Sequence, residues 1–132
     1  MMLQKLTGVA VVLGLAGVAG AQMIDPYYEC AYRFVDLGTP PDVPAPLGGL
    51  VINPDDPDTL LIGGSANRAE GAIYAVPLIR DADDQIIGFG AASAMIAEAP
   101  NIDGGLFYGP GGVLFFSRYS MNHLGQLKPG ST

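Results

Sequence analysis

The stretch Gly48-Gly49-Leu50-Val51-Ile52-Asn53-Pro54 returns fifty-six positions later as Gly104-Gly105-Leu106-Phe107-Tyr108-Gly109-Pro110. In both copies a turn follows, and then an apolar run, Leu60-Leu61-Ile62 or Val113-Leu114-Phe115. Because the order and the chemical types agree, we interpret the two stretches as copies of one structural repeat.

The recurrence extends beyond the apolar runs. Each run continues into Ser-x-Asn, as Ser65-Ala66-Asn67 and Ser120-Met121-Asn122, and a further glycine then introduces another strand, at Gly71 and Gly125. A repeat of about fifty residues with four short strands is typical of a β-propeller blade.

Short runs rich in β-branched, leucyl or aromatic residues, bounded by Gly, Pro, Asn or Asp, predict an antiparallel all-β protein. The predicted strands are residues 27–35, 49–52, 59–62, 72–79, 85–89, 105–108 and 113–117. Pro77 predicts an edge or a bulge in its strand, because proline donates no backbone hydrogen bond. The alanine-rich residues 91–99 fit a helix and a strand equally.

The sequence therefore predicts an incomplete β-propeller of about one and a half four-stranded blades. Residues 22–46 form an N-terminal strand and a proline-rich connection, residues 47–103 the first blade, and a second blade begins at residue 104. A closed propeller typically has about four to eight blades, and unpaired edge strands are a liability. We therefore expect a truncated gene product or one part of an assembly.

The run from Ile102 to Phe116, with Asn122, Gly125-Gln126 and Pro129-Gly130-Ser131, resembles secreted bacterial propeller proteins of the PEP-CTERM-sorted type. Asn53-Pro54-Asp55 and the run from Thr59 to Gly64 are similar to their preceding blade, so the resemblance covers roughly residues 47–131. It implies tethering at the cell envelope by a sorting tail, which would lie beyond residue 132. The pattern is also similar to NHL-type propellers, gluconolactonase-like hydrolases and soluble sugar dehydrogenases.

The amino terminus has the three parts of a cleavable secretory signal, spanning residues 1–21. Lys5 supplies the basic region, Leu6 begins an uncharged apolar stretch of thirteen residues, and Ala19-Gly20-Ala21 places small residues at −3 and −1. The stretch up to Ala21 is shorter than the roughly 20 apolar residues that a membrane anchor needs. We predict a secreted or envelope protein that begins at Gln22.

Charge and cysteine content exclude some functions. The chain has six Lys and Arg and thirteen Asp and Glu, and loss of Lys5 with the signal leaves a formal charge of −8. Such a chain does not suit nucleic acid or anionic lipid, which bind clustered basic residues. Cys30 is the single cysteine, so it either pairs outside this chain or lies buried and inert.

One end of the predicted blades gathers the best polar residues. In an antiparallel meander successive turns alternate between two ends, so residues 65–70, 99–103 and 118–123 are expected together. The candidate ligand-binding residues there are Asp103, Arg118, Tyr119, Asn122 and His123. Asp103 could bind a divalent cation or act as a base, and His123 could be a ligand or proton shuttle. The alternative is that Asp103 closes a turn and His123 is a solvated loop residue.

The opposite end is predicted to carry an acidic rim, Asp55, Asp56, Asp58, Asp81, Asp83 and Asp84. Ca²⁺ could bind there, although Ile86 stands where an EF-type loop needs Gly and no bidentate Glu follows. Asp also closes ordinary hairpin turns through its side chain, which is the simpler interpretation.

Three functions remain open. The first is an exported, non-enzymatic propeller that binds an envelope or extracellular polysaccharide or protein and is completed by the remainder of its own propeller. The second is a propeller enzyme of the gluconolactonase or sugar-dehydrogenase kind, with metal-assisted chemistry near Asp103. The third is a structural β protein that is not a propeller.

Overall fold

Eight strands make up the regular structure of the protein, and the computed structural model describes residues 23–131. They form two antiparallel sheets, neither of which closes on itself. The first sheet contains β1 (Leu50–Asn53), β2 (Asp56–Gly64), β3 (Ala72–Arg80), β4 (Ile86–Phe89) and β5 (Ala94–Glu98). The second contains β6 (Ile102–Tyr108), β7 (Leu114–Arg118) and β8 (His123–Leu127), with one 3-10 turn at Pro110–Gly112 between β6 and β7. The all-β prediction is confirmed.

The first sheet is a meander whose outermost strand is interrupted. β1, β2 and β3 pair in chain order, and β4 and β5 then pair in succession along the free edge of β3. The undecided residues 91–99 thus contain the strand β5, which resumes the outer strand after a gap at residues 90–93.

Pro77 explains the interruption. Its carbonyl oxygen accepts a hydrogen bond of 2.8 Å from the N–H of Gly90, so the missing proline N–H faces the same outer strand. A side chain on Gly90 would place its Cβ 2.9 Å from the Pro77 ring, and this crowding favours glycine there. The prediction of an edge or a bulge at Pro77 is wrong: β3 is a central strand, Pro77 pairs regularly with Thr59, and the register shifts lie at Ile73/Tyr74 and Ile79/Arg80.

The second sheet repeats the same order of pairing with three strands. β6 pairs with β7 and β7 with β8, so β6 begins this sheet as β1 begins the first. β6 starts at Ile102, two residues before the predicted start of the second blade. β1 and β6 lie side by side, and the N–H of Gly49 donates a hydrogen bond of 2.7 Å to the carbonyl oxygen of Asp103.

A core fills the space between the two sheets. Alternate residues of the strands point into it, as the two-residue period of a strand requires. Its buried members are Leu61, Ile73, Ala99, Ile102, Leu106, Leu114 and Phe116. Burial of an aliphatic side chain contributes about 1.5–3 kcal/mol, so this core is the main source of cohesion between the sheets.

The other face of the first sheet is covered by the proline-rich connection. Val43 packs against a second cluster that contains Leu60, Ile62, Val76 and Leu78. Two hydrogen bonds hold the connection in place, from Ser65 N–H to the Pro44 carbonyl and from Ala66 N–H to the Pro46 carbonyl. The connection is therefore an integral layer of the fold.

Residues 23–34 belong to a separate compact unit from residues 35–131. The predicted strand at 27–35 is wrong, because residues 26–31 form turns. The Asp25 side chain accepts from Tyr27 N–H at 2.9 Å, and the Asp25 carbonyl accepts from Tyr28 N–H at 2.8 Å. Asp followed by Pro at the second position favours such a turn.

Two sequence predictions concern the amino-terminal part of the chain. Cys30 is exposed, so the buried alternative for this thiol is wrong. The predicted signal at residues 1–21 lies outside the described residues. Within residues 23–131, no helix has both the length and the apolar character to cross a membrane.

Candidate functional site

Three connections meet at one end of the two sheets. The N–H of Asn67 donates to the Ile102 carbonyl, and the N–H of Asn101 donates to the Arg68 carbonyl, both at 2.8 Å. The N–H of Tyr119 donates to the Asn101 carbonyl at 3.2 Å. Residues 65–70, 99–103 and 118–123 are therefore joined by main-chain hydrogen bonds, as the alternation of turns predicts.

Three turns at this end use asparagine in the left-handed conformation: Asn101 has φ 61°, and the other two belong to the Ser-x-Asn motifs. Asn67 has φ 62° and Asn122 has φ 50°, a region that asparagine tolerates better than most residues. The Ser-x-Asn motifs thus place Asn at a reversal of the chain in both sheets. The connection after β7 is the shorter of the two, so the motifs are not superposable loops.

The strands of the second sheet bring three of the five predicted site residues into adjacent positions. Arg118 lies opposite Ile102, the neighbour of Asp103, on one side and opposite His123 on the other. Tyr119 and Asn122 lie in the turn between β7 and β8. All five residues therefore occupy the same end of one sheet.

The side chains at this end differ in their exposure and in whether they form hydrogen bonds within the protein. The Arg118 Nε donates a hydrogen bond of 2.8 Å to the Pro100 carbonyl, so this guanidinium fastens β7 to the connection between the sheets. Tyr119, Asn122 and His123 are exposed, and Asp103 is half-buried. Arg118 is thus a positioning residue, and the exposed trio is free to contact a partner.

A shallow hollow near this end was not predicted. Its lining consists of Ala69, Glu70, Gly71, Ala72, Met95, Glu98 and Pro100. Glu70 and Glu98 come from separate elements, and the pairing of Glu98 with Ala72 brings them to the same edge. None of the five predicted residues lines it. Only the negative charge of both side chains was visible in the sequence.

The opposite end is organised by one guanidinium. Arg80 donates through Nε to the Asp58 carboxylate at 3.0 Å, and through Nη1 and Nη2 to the carbonyls of Asp84 and Pro57 at 2.8 and 2.9 Å. It therefore joins the start of β2 to the β3–β4 turn. The carboxylate of Asp58 is committed to an ion pair rather than to an open cation site.

Other aspartates of the predicted acidic rim close turns. The Asp56 carboxylate accepts from Asp58 N–H and from the Thr59 hydroxyl, at 3.2 and 2.7 Å. The Asp81 carboxylate accepts from the N–H groups of Asp83 and Gln85 at 3.0 and 2.9 Å. These contacts match the hairpin-turn interpretation. Within residues 23–131, no group of three or more His, Cys, Asp or Glu side chains is arranged to hold a metal ion.

The surroundings of Tyr108 perturb the ionisation of its phenol. Burial and the negative charge of Asp55 raise the pKa of the Tyr108 phenol above its ordinary value. Tyr108 is the last residue of β6 and packs against the core between the sheets. Its phenol therefore reports on the packing at the end opposite the exposed trio.

The arrangement can present side chains to a partner without further folding. Tyr119 offers an aromatic ring for packing. The Asn122 amide and the His123 imidazole each offer hydrogen-bonding atoms to a partner. The hydrogen-bonded connections beneath them reduce the entropy that a partner would otherwise have to offset on binding. Comparison of the chain with protein-family models, with curated proteins and with solved structures finds no match in any of the three.

Proposed function

We propose that the chain is an exported, non-enzymatic β-propeller protein that binds an envelope or extracellular partner through the end carrying Tyr119, Asn122 and His123. The observation that carries the proposal is the convergence of three connections at that end through main-chain hydrogen bonds. Loops held on a sheet scaffold are the usual place for binding residues.

The exposure of the trio supports binding over catalysis. A nucleophile and its base act in hydrogen-bond contact, in a site that excludes water. Tyr119 and Asn122 instead project from a surface turn, and His123 is an exposed residue at the start of β8. A partner surface would bury them, and aromatic side chains are enriched among residues that supply binding energy.

Export rests on the amino-terminal sequence. The basic residue, the apolar stretch and the small residues at Ala19 and Ala21 support passage through a secretory pathway. The acidic balance of the chain supports a partner other than nucleic acid. An envelope polysaccharide or an envelope protein fits both conditions.

Co-sedimentation of the purified secreted product with an insoluble cell-envelope fraction tests this proposal. We expect the triple variant Tyr119→Ala/Asn122→Ala/His123→Ala to bind at least about tenfold more weakly, a loss of about 1.4 kcal/mol. The control Asp83→Ala/Gln85→Ala changes the opposite end and should bind as the parent does. Protease or glycosidase treatment of the fraction shows whether protein or polysaccharide is bound.

Two outcomes would count against the proposal. Equal binding by the parent and the triple variant would remove this end from the interaction, and no binding to either treated or untreated fractions would remove the binding role. Turnover of a lactone or a sugar by the parent in the presence of a divalent cation would favour the enzymatic alternative instead.

A further inference from the structure

The two sheets of the protein pack through unlike faces. Val51 pairs with Leu61 in the first sheet, and both face the second sheet. The second sheet contributes the face that carries Leu106, Leu114 and Phe116 to this contact. That face does not correspond to the face with Val51 and Leu61 in the first sheet. We call the face with Val51 and Leu61 the donor face and the face with Leu106 and Phe116 the acceptor face. The contact joins a donor face to an acceptor face.

The second sheet has a donor face of its own that nothing covers in the described part of the chain. Phe107 pairs with Phe115 as Val51 pairs with Leu61, and their rings stack at 5.4 Å. Phe107 is nevertheless 50% exposed. A stacked aromatic pair at the position that is covered in the first sheet is an apolar surface that favours a partner.

The first sheet has an uncovered position on its acceptor face, whereas the second sheet has an uncovered donor face. Leu50 takes the place on β1 that Leu106 takes on β6, fifty-six positions later. Leu106 is 6% exposed in the core between the sheets, but Leu50 is 59% exposed. Leu50 thus marks an acceptor face that no other sheet covers among residues 35–131.

Gly48 and Gly104 occupy corresponding positions in the two copies of the repeat, and they also differ in whether another sheet lies against them. A Cβ on Gly48 would lie 2.9 Å from the Asp103 carbonyl oxygen, so the neighbouring sheet approaches closely there. A Cβ on Gly104, the corresponding residue, would meet nothing within 4 Å. The second sheet therefore has an open space where the first has the backbone of the next sheet.

We propose that a second copy of this chain docks the acceptor face of its first sheet, at Leu50, on the Phe107–Phe115 donor face. The interface uses the same combination of faces that joins the two sheets of one chain, at the part of the acceptor face that Val43 leaves uncovered. Because the two surfaces differ, the contact is head to tail, and it closes into a ring or continues as a filament.

The proline-rich connection sets the extent of the contact. Val43 already covers the middle of the acceptor face of the first sheet. The incoming donor face therefore meets its margin, where Leu47 is 40% and Leu50 59% exposed. A contact limited to a margin is weaker than the packing within one chain, so we expect association that depends on protein concentration.

Sedimentation equilibrium of the secreted product across the micromolar to millimolar range tests the proposal. The weight-average mass should rise with concentration for the parent chain. Phe107→Asp and Leu50→Asp should each weaken association at least about tenfold, because each places a charge in an apolar contact. Ile87→Asp is the matched control, since Ile87 is 48% exposed on β4, at the edge of the first sheet away from β1.

A mixture of the two variants separates this geometry from others. Phe107→Asp keeps an intact acceptor face and Leu50→Asp an intact donor face, so an equimolar mixture should form a dimer that grows no further. A symmetric contact through Phe107 alone would leave Leu50→Asp associated by itself. Association of both variants like the parent would instead indicate pairing at another surface, such as the β8 edge, and would overturn the proposal. A parent that stays monomeric at every concentration would overturn it too and leave the donor face to a different occupant. Circular dichroism confirms that each variant keeps its strands.

Discussion

The amide N–H of Gly49 donates a hydrogen bond of 2.7 Å to the carbonyl oxygen of Asp103, and this bond joins the first strands of the two sheets. A Cβ at Gly49 would lie 2.8 Å from the Gly104 carbonyl carbon and equally close to the Leu106 nitrogen. Both neighbours are backbone, so neither can turn away as a side chain would. Glycine at position 49 is therefore a condition of this packing.

Gly49→Ala should accordingly separate the sheets and lower the free energy of unfolding by about 2–3 kcal/mol, as overpacked sites do. Urea denaturation measures the change. Gly88→Ala is the control, because a Cβ there meets nothing within 4 Å, and it should change the free energy of unfolding by less than about 0.5 kcal/mol. Equal stability of Gly49→Ala and the parent would contradict the close approach of β1 and β6.

Arg80→Ala should lower the free energy of unfolding by about 1–2 kcal/mol. The substitution removes two hydrogen bonds to carbonyl oxygens and one to the Asp58 carboxylate. The ion pair with Asp58 adds little to stability, because the Asp58 side chain is 70% exposed to solvent. Arg80→Lys should recover only part of it, because an ammonium cannot reproduce the three directions of the guanidinium.

Arg68→Ala is the matched control for Arg80. Arg68 faces Glu70 at 3.9 Å with both side chains more than half exposed, so its removal should be nearly neutral. Thermal or urea unfolding compares the two variants at low and high salt. An equal loss in the free energy of unfolding for Arg68→Ala and Arg80→Ala would contradict a stabilising role for the hydrogen bonds that Arg80 makes to Pro57 and Asp84.

Tyr108 should make the fold sensitive to alkaline pH. Its pKa is raised in the folded chain, first by burial and then by Asp55, above the unfolded value of about 10. The stabilisation is therefore fully present below about pH 10 and is lost as the pH rises through the folded value. Ultraviolet titration of phenolate formation should show Tyr108 as a late tyrosine.

Two variants assign that late tyrosine. Tyr108→Phe should remove it from the titration and flatten the fall of stability above about pH 10, and Asp55→Asn should move it toward the ordinary value. Tyr119→Phe, at the other end of the second sheet, should leave it in place. A late tyrosine that survives Tyr108→Phe would refute the assignment.

The leader should be cleaved after Ala21, leaving Gln22 at the amino terminus of the exported chain. Intact-mass analysis of the secreted product measures this position. Ala19→Arg places a large charged residue at −3 and should leave the precursor uncleaved, whereas Gln4→Ser should be processed normally. Recovery of a secreted product that still begins at Met1 would exclude a cleavable signal.

Particular residues show how far the sequence predicted the fold. The apolar runs around Val51, Phe107 and Phe115 predicted β1, β6 and β7, because short runs between turn residues carry a local signal. Pro77 predicted an irregularity, but the irregularity lies in the neighbouring outer strand at residues 90–93, because the missing N–H faces that strand. Residues 91–99 could not be assigned locally, because only pairing with β3 makes them a strand.

The candidate site was predicted in part. Alternation of turns correctly brought Asp103, Arg118 and His123 to one end, since the rule depends only on strand order. The hollow with Glu70 and Glu98 was missed, because these residues are distant in sequence and become neighbours only through the β3–β5 pairing. The anchoring of Arg118 to the Pro100 carbonyl likewise needed the fold.

The sequence by itself determined the positions of β1 to β4, β6 and β7, the turns closed by Asp and Asn, and the glycine pairs at 48–49 and 104–105, since these depend on backbone preferences within a few residues. Only the tertiary structure decided which faces are covered. Leu50 and Leu106 have the same side chain in similar local sequence, yet one is 59% and the other 6% exposed. Burial depends on what packs against a strand, and that comes from residues far away in the chain.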